Sequence, residues 1–270
     1  MGSLAMKHDE AKKTPSVVPA VEQAALVLLC LARSPSPKMN LTDICREVGI
    51  HKSKGYAILG TLQRHGFIER DDGDKRYSLG TGLIGLSRKV LDNSSIRDVV
   101  KGSLEELAAL TKSTALYGVV NGDSLFVVAK EEGGEGFGIT LRVGHRFPLT
   151  AGAHGKAIVA AMAESEREET LKGAELYFHG DPKGLDRERL DEELRACQKR
   201  GFAEDAGELQ SGINALAAAV LSSGGTVTGV IFILGTFPKK LFKRYGAIVA
   251  QSAQRLSSLF GYSKDRQGRI

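Results

Sequence analysis

Three cysteines in 270 residues are too few and too scattered to build a site. Cys30, Cys45 and Cys197 form no CxxC pair and stand at no metal-ligand spacing from a histidine, which excludes a disulfide framework and a zinc finger or ribbon. They are expected as buried, reduced thiols in a reducing compartment such as a bacterial cytoplasm. Tryptophan is absent, and no apolar run is long enough to span a bilayer, so no membrane partner is expected. A signal peptide is not expected, because Lys7–Lys13 is charged and no apolar stretch follows directly. Catalytic signatures are missing as well. There is no GxSxG elbow. Gly155-Lys156 lacks the earlier glycine and the following hydroxyl of a phosphate-binding loop. Gly133, Gly134, Gly136 and Gly138 fail the GxGxxG spacing and precede a strand rather than a helix. His145, His154 and His179 have no HxxxH or HxxE partner. The expectation is therefore no catalytic residue, no metal, no cofactor and no enzyme.

What remains is a chain of globular composition, 42% hydrophobic, long enough for two domains. The first fifteen or so residues are polar and expected to be disordered. A helix over Ala20–Ala32 carries Val21, Ala24, Ala25, Leu28 and Leu29 as an apolar stripe, and Ser34-Pro35-Ser36-Pro37 breaks it. Thr42 is placed to cap a short helix, Asp43–Val48, which Gly49 ends. A second helix runs from Ser53 to His65, stopped by Gly66, with Gly55, Ile58, Leu59 and Leu62 inward. Its N-terminal turn and outer face present Lys52, Ser53, Lys54, Tyr56, Gly60 and Arg64. A hairpin follows: Phe67–Arg70, a turn at Asp71-Asp72-Gly73-Asp74, then Lys75–Leu79. That order is a helix-turn-helix with a β-wing. It directs Lys52, Ser53, Lys54, Tyr56 and Arg64 toward a major groove, and Lys75 and Arg76 toward phosphates. Bulk charge contributes little. The pI is near 9.0, but over residues 41–79 basic residues barely outnumber acidic ones, so attraction depends on placement.

Beyond the wing, Thr81–Asp92 reads as a connecting helix and Ile96–Thr111 as the first helix of a second domain. From residue 114 the apolar period changes to two. Ala115–Val120 and Ser124–Lys130 flank the turn Asn121-Gly122-Asp123, and Ile139–Val143 reads as a further strand. Helices are expected at Ala153–Met162, from Ser165 with Glu168 in capping-box relation, at Asp186–Arg200 and at Lys239–Phe260. Strands Leu216–Leu221 and Val227–Leu234 turn at Ser222–Gly225. Without a repeated βαβ spacing, an antiparallel sheet flanked by helices is expected.

One segment identifies more. Gly201-Phe202-Ala203-Glu204-Asp205-Ala206-Gly207-Glu208 precedes Gly212 and the strand Ala215–Val220. A Gly, three residues, Asp, two residues, Glu, then a small-apolar-small strand resembles the signature of the IclR-type transcriptional regulators, with Gly201, Asp205, Glu208, Ala215, Leu216 and Ala217 in register. Pro148-Leu149-Thr150-Ala151, Gly155-Lys156-Ala157, Lys52-Ser53 and Arg70-Asp71 extend the resemblance over nearly all of residues 18–262. It implies an α+β protein: an N-terminal winged helix-turn-helix, a linker helix, and a C-terminal GAF-like antiparallel sheet with flanking helices that binds a small molecule. It also implies homodimers through the DNA-binding half, often paired into a dimer of dimers, and double-stranded DNA with a near-palindromic operator as partner. The expected organisation is a disordered extension at 1–17, the DNA-binding domain at 18–80, the linker helix at 81–95, the effector domain at 96–262 and a flexible tail at 263–270.

The resemblance implies a pocket lined by Ala153, His154, Asp205, Ala215, Phe232 and Leu234. Phe232 and Leu234 could equally be ordinary core, and Asp205 a structural cap. The chain departs from the family at informative places. Tyr56-Ala57 stands where a His-Arg pair is usual, Ala215 replaces a Cys and Ala219 a Pro. Phe232 and Leu234 replace two serines, and His154 sits at a usually small or aliphatic position. Apolar groups in place of hydroxyls imply a partly apolar effector, such as a carboxylated aromatic, with its carboxylate near His154 and the amides following Thr150. The expected function is a cytoplasmic, ligand-responsive regulator, a repressor of a catabolic operon. The alternatives are an enzyme acting through the C-terminal domain and a DNA-binding protein whose second domain only oligomerises.

Overall fold

The computed structural model describes residues 17–93, 96–134, 141–173 and 175–262, without the side chains of residues 88 and 90–93. The chain divides into two compact units, Met1–Asn93 and Ser94–Ile270. The segments expected to be disordered or flexible, 263–270 and all but the last residue of 1–17, lie outside the described residues, as do Gly136, Gly138 and Ile139.

The first unit contains α1 Pro19–Arg33, α2 Leu41–Val48, α3 Lys52–Arg64, β1 Ile68–Arg70, β2 Tyr77–Leu79 and α4 Gly82–Asn93. Its core is Val27, Leu31, Ile44, Leu59, Leu62, Ile68 and Tyr77. The stripe expected on α1 is displaced. Ala24, Val27, Leu28 and Leu31, an i, i+3, i+4, i+7 set, turn inward, whereas Val21, Ala25 and Leu29 stay exposed with Val17, Val18 and Leu26. The α2 cap also differs from expectation. The helix begins two residues earlier, and Asn40, not Thr42, accepts the amide of Asp43 at 2.9 Å. Gly49 closes α2 in the left-handed region, at φ 72°. The two helices cross so closely that a Cβ on Gly55 would lie 2.3 Å from the Cys45 sulfur. The wing is a short antiparallel pair, Ile68 opposite Leu79 and Arg70 opposite Tyr77, and Met39 bridges Tyr77 from the other side.

The second unit is built on a six-stranded, wholly antiparallel sheet. Its elements are α5 Ile96–Thr111, β3 Thr114–Asn121, β4 Ser124–Glu131, β5 Arg146–Pro148, α6 Gly152–Ala161, α7 Glu164–Leu171, α8 Arg187–Arg200, β6 Ala203–Ala206, β7 Asn214–Leu221, β8 Val227–Gly235 and α9 Phe242–Leu259. The strand order is β5-β4-β3-β8-β7-β6. Alternation along the strands separates two cores. Leu216, Ala218, Val220, Ile231 and Ile233 pack with α5 and α9 on one face. Ala215, Ala217, Val230 and Phe232 pack with α6 and α8 on the other.

Three local expectations fail here. Of the strand read over Ile139–Val143, the described residues from Leu141 on are not strand; β4 pairs instead with β5, Ser124 opposite Pro148. The register of so short an edge strand depends on its partner rather than on its own pattern. Ser165 does not cap α7, which begins at Glu164 after Ala163 with no side-chain cap; Glu164 and Glu166 in the first turn suit the helix dipole instead. The final helix is shorter than read, because Lys239–Leu241 forms a separate 3₁₀ turn.

Candidate functional site

On α3, Gly55, Leu59 and Leu62 are buried, and at about 100° per residue the opposite face carries Ser53, Ala57, Gly60 and Arg64. Lys52, Lys54 and Tyr56 flank that face, and all of these residues are exposed, Tyr56 by 59%. No side chain caps the first turn; His51 is the N-cap, and its Nδ1 lies 3.0 Å from the Ser53 hydroxyl. The amides of that turn are left for an external acceptor.

The acidic wing turn is folded on itself. Asp71 accepts the amides of Gly73 at 2.9 Å and Asp74 at 3.4 Å, and pairs with Lys38, which holds its carboxyl below the usual range. Asp74 accepts the Arg76 amide at 3.0 Å. These carboxylates shape a turn in which Lys75 adopts a left-handed backbone, φ 56°, with Lys75 and Arg76 both exposed. The excess of acid at the tip thus builds the turn that presents the two basic residues.

In the second unit, sheet register brings together the residues expected at the effector pocket. Asp205 on β6 lies opposite Ala215 on β7, and Ala215 opposite Leu234 on β8. Two pairs along, on the same face, Ala217 lies opposite Phe232. Ala153 and His154, in the first turn of α6, cover this row. All six expected residues line one cavity of about 60 Å³, completed by Leu141, Phe147, Leu209, Gln210 and Ile213. The latter five were not legible, because they come from an unforeseen strand and from loops. The space is small, room for a few waters at most.

His154 is 4% exposed, and its ring lies 4.7 Å from the Phe147 ring centroid and 5.8 Å from that of Phe232. The Pro148 carbonyl supports its protonated form, whereas Nε2 has no hydrogen-bond partner among the described residues. Desolvation pushes its pKa down to about 3 against the partial support of Pro148, and the ring is neutral at physiological pH. Asp205 spends its oxygens on the amides of Glu208 at 2.7 Å and Leu209 at 3.2 Å. Burial raises its pKa, with the Leu209 amide opposing. It therefore serves as the cap of the 207–213 loop as well as a wall of the cavity.

Behind the cavity, Lys156 of α6 is 1% exposed, and its Nζ contacts Glu193 at 2.7 Å and Glu208 at 2.9 Å. Burial pushes its pKa down, opposed by the Glu193 bond. Arg189 pairs with the same two carboxylates, and His179 Nε2 meets Glu193 at 2.9 Å. Desolvation would raise Glu193, but the Lys156 and His179 bonds hold it below its ordinary value. Among the described residues His179, Glu193 and Glu208 converge in the manner of metal ligands. The ammonium of Lys156 and the guanidinium of Arg189 already balance those carboxylates, so the cluster is a charge network tying α6, α8 and the Glu208 loop together.

Comparison with known proteins agrees with this division. A family model described as the IclR helix-turn-helix domain matches residues 20–72, and one described as bacterial transcriptional regulator IclR C-terminal matches residues 88–258. The Escherichia coli regulator XynR is 30% identical over 204 residues, covering 76% of this chain and 81% of its own length. The E. coli regulator KdgR is 25% identical over 95% of this chain and 98% of its own. A crystal structure of an IclR transcriptional regulator from Alicyclobacillus acidocaldarius superposes with a TM-score of 0.78 at 28% identity, covering 91% of this chain and 100% of that one.

Proposed function

The chain belongs to the IclR family of bacterial DNA-binding transcriptional regulators, and from that premise we propose that it is a cytoplasmic repressor of a catabolic operon, released from its operator when a small, partly apolar effector enters the cavity. The observation that carries this reading is the convergence of Ala153, His154, Asp205, Ala215, Phe232 and Leu234, from four elements, on one small, mostly apolar space. A purely oligomerising second domain has no need of such a space. The wall is aromatic and aliphatic, which favours a ring compound. It does not favour the carboxylate expected at His154. The cavity is lined by no lysine or arginine among the described residues, its histidine is neutral and Asp205 is acidic. Only Gln210 and the α6 amides offer donors, because Ala151 provides no side-chain cap.

Lys52, Ser53, Lys54, Tyr56 and Arg64 read a major groove, and Lys75 and Arg76 hold phosphates. One such helix buries too little surface for tight operator binding, so a homodimer, alone or as a dimer of dimers, reads a near-palindrome. The exposed apolar residues Val21, Leu26 and Leu29 of α1 and Ile84 and Leu86 of α4 supply a dimer surface. No helix of the described residues is long and apolar enough to cross a membrane. The test is operator release by a panel of small organic compounds. Ring compounds are expected to release the operator and glyoxylate or pyruvate to leave it bound; release by the two small acids alone would contradict the apolar-cavity reading. Light scattering that finds only monomer at micromolar concentration would contradict the dimer.

A further inference from the structure

His154 carries an unmet requirement that narrows the effector's chemistry, given the reading of this cavity as the effector site. Its ring is fixed in place. Phe147 and Phe232 approach it from 4.7 and 5.8 Å, with interplanar angles of 50° and 38°. A neutral imidazole has one N–H, and with the Pro148 carbonyl favouring a proton on the ring and Nε2 unpartnered among the described residues, we assign it to Nδ1. Nε2 is then a bare acceptor, buried in the cavity wall with no hydrogen-bond partner among the described residues. A buried acceptor left unmet is costly, and a ligand that supplies the donor recovers that cost on binding.

The rest of the wall says what else the donor molecule must be. Its remaining lining is Leu141, Phe147, Leu209, Ile213, Phe232 and Leu234 together with small residues and Gln210. Asp205 is the one carboxylate among the described lining residues, its oxygens taken up by the amides of Glu208 and Leu209. A second carboxylate entering this space would meet the Nε2 lone pair and the charge of Asp205, with no cation in the wall to offset either. A hydroxyl meets neither objection.

We propose that the effector is an uncharged hydroxylated ring compound whose O–H donates a hydrogen bond to Nε2 of His154, and that this histidine, at a position where small or aliphatic residues are usual, selects alcohols and phenols over carboxylates. The bond leaves all protons where they are: the imidazole proton stays on Nδ1 and the hydroxyl keeps its hydrogen. The cavity of about 60 Å³ must widen to admit a ring. The wall segment bearing Leu209 and Gln210 lies between Gly207 and Gly212, both at left-handed φ of 82° and 80°.

Calorimetry of phenol, toluene and benzoate with the full-length protein and with His154→Phe tests this. The wild type should bind phenol at least about tenfold more tightly than either toluene or benzoate. In His154→Phe the advantage of phenol over toluene should disappear. If that variant does not fold, the ¹⁵N shift of Nε2 in the wild type decides: it should move toward the protonated value on adding phenol and stay put on adding toluene. Benzoate binding most tightly, or an Nε2 signal indifferent to phenol, overturns the proposal and leaves the cavity standing as an effector site. Saturable binding of none of the three overturns the effector-site reading itself, and the proposal with it.

Discussion

Two helices in this protein begin in the same unfinished way and meet opposite surroundings. Both α3 and α6 lack a side-chain cap, their N-caps being His51 and Ala151. Around the start of α3 everything polar is exposed: Lys52, Ser53 and Lys54 surround amides that face solvent. The helix α6 is buried from Gly152 to Ala160, and its first turn faces a small space lined by aromatic rings and a neutral histidine. Equal helix ends therefore select unlike partners. Mobile cations beside exposed amides suit a phosphate, which brings its charge without leaving water entirely. The first turn of α6 has no such cation at hand, since the nearest lysine on that helix, Lys156, points away into Glu193 and Glu208.

The charge network is where this contrast breaks most severely. Lys156→Met removes the buried cation between Glu193 and Glu208 and leaves them to the half-exposed Arg189, and the second unit should lose up to roughly 3–5 kcal/mol of stability. Thermal unfolding should show that loss in the transition of the second unit; an unchanged transition would mean the network is solvated and inert.

Overfilling the helix crossing of the first unit comes next. Gly55→Val pushes a side chain into the Cys45 sulfur and should cost about 1–3 kcal/mol or more, with operator binding lost as α3 shifts. Denaturant titration and operator binding read both effects together. At the α3 surface itself, Lys54→Ala should cost roughly 1–3 kcal/mol at particular operator positions, if it contacts a base. Lys75→Ala should instead weaken all duplexes alike and flatten the salt dependence. Binding across a salt series separates the two behaviours, and equal effects of both variants on every sequence would erase the division between groove and phosphate residues.

The smallest expected effect is a pH slope. With its folded pKa near 3 and an ordinary value of 6.5, His154 binds more proton when unfolded at any pH between the two. Its contribution to stability is complete above about pH 6.5 and is lost as pH falls toward 3, at up to about 1.4 kcal/mol per pH unit. Asp205, whose pKa burial raises, contributes with the opposite sign, so the wild type alone is not diagnostic. The difference between wild type and His154→Phe from pH 7 to pH 5 isolates the histidine. A difference that does not vary with pH would mean the imidazole is not desolvated.

These residues also mark what was legible before the coordinates. The DNA-facing half could be read almost element by element, because its helices are stopped by Gly49 and Gly66 and its wing by an Asp-Gly turn, all local signals. What failed there was tertiary: which side of α1 turns inward depends on where α2 and α3 dock, so Val21, Ala25 and Leu29 of the expected stripe are exposed. In the second half, the resemblance to the family implies six of the wall residues, but nothing in the sequence points to Leu141, Phe147, Leu209, Gln210 and Ile213. They reach the cavity from a three-residue edge strand and from loops, whose positions follow from packing rather than periodicity. The neutral state of His154 was invisible for the same reason, since it depends on burial and on the Pro148 carbonyl.

The central claim is that occupation of the cavity, rather than its mere presence, governs the hold on DNA. It is tested by measuring release of a labelled operator from wild type and from Ala215→Phe while phenol is titrated. Ala215 lies between Asp205 and Leu234 in the cavity row, and a phenyl group there fills the space. The account predicts release from the wild type in the concentration range in which phenol binds, and none from the filled protein. Equal release from both would contradict it.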